Sequence, residues 1–212
     1  MEHKMISIAD QIFSELERAI LTGEYERDEL LTEVALSEKL GVSRTPIREA
    51  LRRLDLEHIV EITSKGARVI GINETDISDI YDIRYNVEGL AARRTAERAT
   101  DEQIRHMKDV LELQEFYTAK DEPDAIKNAD SEFHIAIYQS CASPTLMDTL
   151  EPLHRRIIKF RRVSVAHKGR AAASLEEHRD IYNAIAAHDG ELAEKLMKQH
   201  ILNARISILG GK

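Results

Sequence analysis

Asp130 and His134 stand four residues apart, about 40° apart around a helix. Phe133, Ile137 and Tyr138 flank them, which puts the pair on an apolar face. His178 shares a face with Ile181, Tyr182 and Ile185, and His200 with Leu192, Leu196 and Met197. One inward histidine is ordinarily a hydrogen-bonded core residue. Three of them plus an inward aspartate need a common partner, because burying them unpaired costs several kcal/mol. A divalent transition metal meets all four at once. Imidazole suits Zn, Ni, Cu or Fe, and the carboxylate offsets charge. Zinc heads the candidates, ahead of Ni, Fe, Mn and Cu. A five- or six-coordinate ion keeps positions open that a carboxylate ligand can fill.

A second constellation lies in "LGVSRTPIREALRRL", Leu40 to Leu54. With Arg44 at 0° on a helical wheel, Arg48 falls at about 40° and Arg52 at about 80°. Ile47, Ala50, Leu51 and Leu54 occupy another arc. Such an arginine stripe is often an ordinary solvated face. Here Ser43 sits at an N-cap position, Pro46 lies in the first turn, and a glycine turn precedes the helix. That order reads as a helix-turn-helix, whose second helix enters a DNA major groove. Arginine forks reach O6 and N7 of guanine, or grip phosphate.

The elements that hold these residues follow from periodicity. Ile8, Ile12, Leu16, Ala19 and Ile20 have helical spacing up to Gly23. Thr32 caps a short helix that stops at Gly41. "IVEITSKGARVIGI" is β-branched on both sides of Ser64-Lys65-Gly66 and predicts a hairpin, the one convincing β signal. As a wing, it would bring Lys65 to DNA backbone or minor groove, with Gly66 allowing close approach. Helices are then predicted at about 74–99, 101–119, 123–140, 144–166, 172–188 and 190–208, each with an apolar stripe and a charged back. The fold expected is mainly α. A winged helix-turn-helix domain (1–72) precedes an antiparallel all-helical bundle of about six helices (73–212).

Composition narrows the setting. A net charge of −8 argues against non-specific coating of nucleic acid but permits a local basic face. The lone cysteine, Cys141, has no internal disulfide partner. No apolar run approaches a membrane span of about 20 residues, and the N-terminus is a poor signal peptide. A cytoplasmic protein with no membrane partner is expected. Of the other histidines, His3, His106, His167 and His188 fall in polar or terminal surroundings, and His58 lies beside the hairpin.

The stretch "LTEVALSEKLGVSRTPIREALRRLDLEHIVEITSKGARV" resembles the winged-helix DNA-binding head of the GntR family of bacterial transcription regulators. The resemblance implies DNA-contact positions at Arg44, Thr45 and Arg48. It gives supporting roles to Ser43 and Gly66, with Arg52 and Lys65 nearby. Two departures stand out. His58-Ile59 replaces the usual Gly-Leu, and Val34 replaces an arginine that some members place against DNA.

The rest of the chain resembles the FCD ligand-binding domain of the FadR branch. The matching landmarks are "IYDIRYNVEGLAARRTAERAT", "DSEFHIAIYQSCASPTL", "EEHRDIYNAIAAHDG" and "KLMKQH". In metal-binding members, an Asp and a His come from a D-x-x-x-H helix and one His from each of the last two helices. That set falls on Asp130, His134, His178 and His200. Six helices fit the VanR-like subgroup. Ser143 stands before Pro144 where the family usually has asparagine. Arg84 is an ordinary i, i+4 ion partner for Glu88 by spacing. By the resemblance, Arg84 faces the effector cavity and holds an anionic effector. In "RRIIKFRR", Arg155, Arg156, Lys159, Arg161 and Arg162 cannot all face inward, and one of them could meet an effector carboxylate.

The combined expectation is a homodimeric repressor on a palindromic operator, controlled by a small organic acid at a metal site. Two other readings stay open from sequence. In one, the metal itself is the signal. In the other, the bundle is a metalloenzyme with an accessory DNA-binding domain, although the paired Glu-x-x-His motifs of di-iron bundles are missing.

Overall fold

A computed structural model describes residues 7–71, 74–163 and 169–210, with side chains at all of these except 74 and 159–163. His3, His167 and the side chains of Lys159, Arg161 and Arg162 lie outside the described residues. The chain divides into two compact units, Met1–Asn73 and Glu74–Lys212.

In the first unit, helix α1 (Ile8–Leu21) opens with a capping box. The Ser7 hydroxyl accepts from the Asp10 N–H, and the Asp10 carboxylate accepts from the Ser7 N–H. Helix α2 (Glu33–Leu40) starts at Thr32, whose hydroxyl accepts from the Ala35 N–H at 3.2 Å, and ends at Gly41 with φ 66°. Helix α3 (Arg44–Leu56) buries Ile47, Ala50, Leu51 and Leu54. These pack with Ile12, Leu16, Leu36 and Ile59 into one core. Arg44, Arg48 and Arg52 are exposed, so the two stripes separate as their spacing requires. Ser43 occupies the N-cap in extended backbone, but its side chain makes no capping bond.

The hairpin is β2 (Val60–Thr63) and β3 (Gly66–Val69), turning at Ser64-Lys65. A third strand, β1 (Leu30–Leu31), extends the sheet in the order β1-β3-β2, all antiparallel. Two residues are too few to show a strand period, so β1 has no signature in sequence. β1 also approaches Gly66 closely. With φ 139°, a Cβ at Gly66 would stand 2.7 Å from the Leu31 carbonyl oxygen. The neighbouring strand alone therefore calls for glycine at this position.

The second unit holds α4 (Glu74–Arg98), α5 (Asp101–Ala119), α6 (Pro123–Ser140), α7 (Pro144–Val163), α8 (Arg170–Ala186) and α9 (Gly190–Leu209). Thr100 and Gln103 form a capping box on α5, Pro123 opens α6, and Asp189 caps α9. Helices α5 and α6, α6 and α7, and α8 and α9 pack on one another in succession. Helix α4 packs along α9, α5 against α6 and α8, and α8 against α9. Phe133, Ile137, Ile181, Ile185, Met197 and Ile201 are almost wholly buried between them.

Candidate metal centre and nucleic-acid interface

Asp130 and His134 come from α6, His178 from α8 and His200 from α9, and all four are buried. The His134 and His200 Nε2 atoms lie 3.2 Å apart, and those of His178 and His200 3.4 Å apart. Each ring is turned by a partner at its other nitrogen. His134 donates from Nδ1 to Glu88 Oε2 at 2.8 Å, His178 to Gln114 Oε1 at 2.9 Å, and His200 to Glu177 Oε2 at 2.7 Å. These acceptors fix the Nδ1–H tautomer, so three Nε2 lone pairs converge. A proton can bridge one pair of them but not all three. A cation at about 2.0–2.1 Å from each nitrogen, in tetrahedral geometry, sets the nitrogens about 3.3–3.4 Å apart. The donor set therefore fits a transition metal. Asp130 stands further out, with Oδ1 3.9 Å from His178 Nε2, and it accepts from the Ser174 hydroxyl at 3.0 Å.

Electrostatics match that geometry. Burial lowers the His200 pKa to about 4 and holds His178 well below the usual histidine range, so both rings stay neutral ligands. Burial alone would raise Glu177. Hydrogen bonds from His200, Arg170 and Asn203 outweigh it and bring Glu177 to about 2.

Arg84 and Glu88 are not the surface pair that i, i+4 spacing suggests. Both are buried, at 2% and 0% side-chain exposure, and the Arg84 Nε–H donates to Glu88 Oε1. Burial opposes charge on Glu88, but Arg84 and His134 together hold its carboxyl far below the usual range. Tyr138 and His154 lie beside them, with Tyr138 Oη 3.4 Å from His154 Nδ1. In the neighbouring basic segment, Arg155 is a surface residue paired with Glu151, whereas the Arg156 Nε is buried with no hydrogen-bond partner among the described residues. Ser143 accepts from Arg94 Nη1 at 3.2 Å.

Five residues at this centre escaped the sequence reading: His154, Gln114, Ser174 and Glu177 altogether, and Glu88 as the partner of His134. His154 did carry a signal, since Leu150, His154 and Ile157 share helical spacing and are all buried. The others are defined by partners on different helices.

On the first unit, Arg44, Thr45, Arg48 and Arg52 are exposed on α3, and Lys65 is exposed at the hairpin turn. Glu33 of α2 takes Arg48 in a two-pronged grip, Nε to Oε1 at 2.6 Å and Nη2 to Oε2 at 2.7 Å. The Arg48 fork holds the Glu33 carboxyl below its ordinary range, with smaller help from Arg44 and Arg52.

Residues 8–70 match the bacterial regulatory proteins of the gntR family, and residues 79–203 match the FCD domain. The chain is 28% identical to the gluconate operon transcriptional repressor of Bacillus licheniformis, across 90% of this chain and 80% of that one. It is 29% identical to the HTH-type transcriptional repressor GlaR of Escherichia coli strain K12, across 88% and 89%. Its fold is similar to that of E. coli McbR/YncC, with a TM-score of 0.72 at 22% identity, covering 97% of this chain and 99% of that one. Both matched domains are those of transcriptional regulators, which sets aside the metalloenzyme reading. With its two domains matched in this order, the chain belongs to the GntR family of bacterial regulatory proteins, among those that carry an FCD domain.

Proposed function

We propose that the protein is a cytoplasmic, ligand-responsive transcriptional repressor that binds a palindromic operator as a homodimer. The arginine stripe of α3 and Lys65 are its DNA surface. Ser43, Arg44, Thr45, Arg48 and Arg52 meet bases or phosphates, and Gly66 keeps the wing in shape. Two identical heads suit two half-sites. That two relatives are named as repressors supports the sign of regulation. The described residues include no helix long and apolar enough to cross a membrane. The six helices among the described residues of the second unit support a place in the VanR-like subgroup.

The observation that carries the control site is the convergence of three Nε2 atoms with their Nδ1 atoms tied back. Asp130, His134, His178 and His200 would hold a divalent transition metal, zinc first. Such an ion supplies a Lewis-acidic position for a small carboxylate. Arg84 and its neighbours supply the polar surroundings. Ligand binding then shifts the population between operator-competent and incompetent dimers. Full burial of the imidazoles favours a resident ion over a sensed one.

One experiment tests both halves. Operator affinity and metal content are measured on the wild type, Arg48→Ala and His134→Ala. Arg48→Ala should lose operator affinity by about 1–3 kcal/mol with metal content unchanged. His134→Ala should lose metal and ligand response. Unchanged operator binding in the first variant, or full metal occupancy in the second, refutes the corresponding assignment.

A further inference from the structure

Val34 is 45% exposed in the first turn of α2, and Ala35 beside it is exposed as well. Leu36 is the buried residue of this helix. Val34 therefore adds little to the packing of the unit. It does not favour the helix either, because a β-branched side chain loses rotamer freedom there and forms helix less readily than alanine. A lone apolar residue on a protein surface is ordinary. What sets Val34 apart is its position.

Glu33, the residue before it, holds the Arg48 fork at 2.6 and 2.7 Å. After Arg48, the charges of Arg44 and Arg52 also act on that carboxylate. The first turn of α2 thus lies alongside the arginine stripe of α3. On the helical wheel Val34 falls about 160° from Leu36, so it faces outward beside the side chain that grips Arg48. A surface that meets DNA gains from polar and basic groups, and a phosphate offers nothing to a valine. The major groove does offer one apolar group, the C5-methyl of thymine.

We infer that Val34 is a specificity-determining residue whose methyl groups pack on the C5-methyl of a thymine in each operator half-site. The inference rests on the reading of α3 as the major-groove helix. It adds a base that no arginine reads. Successive bases are about 3.4 Å apart along a strand, and Val34 adjoins the residue that grips Arg48. The thymine therefore lies one or two base steps from the base that Arg48 meets.

The test starts with selection of duplexes from a random pool by the full chain, followed by affinity measurements at one fixed salt concentration. The recovered half-site should carry a thymine within two steps of the position at which Arg48→Ala relaxes the choice of base. Replacing that thymine by deoxyuridine removes the methyl group alone. In one half-site it should weaken wild-type binding about three- to fivefold, the scale of one methyl group taken out of water. Val34→Ser should bind the thymine and deoxyuridine duplexes alike, with its thermal melt unchanged because the side chain is exposed. Val34→Thr, which keeps one branch methyl, should restore part of the difference. No thymine in that window, no penalty in the wild type, or an undiminished penalty in Val34→Ser would overturn the role of Val34 and leave the arginine stripe as the DNA surface. A wild type that selects no sequence, or a selection indifferent to Arg48→Ala, would sink the major-groove reading of α3 and this inference with it.

Discussion

At Arg48, the Nε and one Nη2 proton are already engaged by Glu33, and the Nη1–Nη2 edge points the remaining donors away from α2. An arginine held this way loses less side-chain entropy when it meets a base, and it meets the base in one orientation. Glu33→Ala should therefore act in two directions. Binding to non-operator DNA should tighten, because a carboxylate leaves the basic stripe. Discrimination between operator and non-operator DNA should fall by about 1–2 kcal/mol, because the fork is no longer aimed. Fluorescence anisotropy with both DNAs at one fixed salt concentration checks this, and an unchanged affinity ratio would refute the positioning role. None of this was legible in the sequence, where Glu33 is one acid among many and its partner lies fifteen residues away. The four candidate residues, Asp130, His134, His178 and His200, were legible as a group because each sits on an apolar stripe. Gln114 and Glu177 were not, because their function is to turn rings carried by other helices. His154 was obscured by the arginines that follow it, although its own stripe was intact.

Elements were easier to read where punctuation was chemical. Thr32 and Gly41 mark helix ends in the sequence and in the fold alike. The failures came where a neighbour sets the geometry. Strand β1 exists because β3 offers it a free edge, and Gly66 is required because β1 is there. Gly66→Ala would push a methyl group into the Leu31 carbonyl at a φ that L-residues avoid. It should destabilise the winged unit by about 2–3 kcal/mol. Urea unfolding followed by circular dichroism would measure the loss, and a variant as stable as the wild type would mean that β1 yields freely. His58 makes the complementary point. It stands where the family pattern has glycine and adopts φ 56°, so this chain tolerates at the wing's entrance a conformation that glycine would adopt more readily.

For the molecule as a whole, the buried histidines tie stability to pH. His200 has a folded pKa of about 4, below its ordinary 6.5, so the folded chain binds fewer protons there than the unfolded one. Its contribution is present above pH 6.5 and is lost as pH falls toward 4. Glu177, held at about 2, loses its contribution lower still, from about 4.5 downward. Chelator-treated protein should lose about 2 kcal/mol between pH 7 and pH 4.5 from His200 alone. Thermal melts across that range check the sign, and a melting temperature that rises on acidification would contradict it.

The three tied-back imidazoles have a consequence in time as well as in affinity. Glu88, Gln114 and Glu177 sit on α4, α5 and α8, while the rings sit on α6, α8 and α9. An ion among them is fastened to five helices, and no more than 2% of any of the three histidines is open to solvent. Such an ion leaves at the rate at which the bundle parts, whatever waits outside to capture it. A metal held there would stay through many cycles of ligand arrival and departure. Such a metal would record the conditions under which the chain folded, and a ligand would report those of the moment.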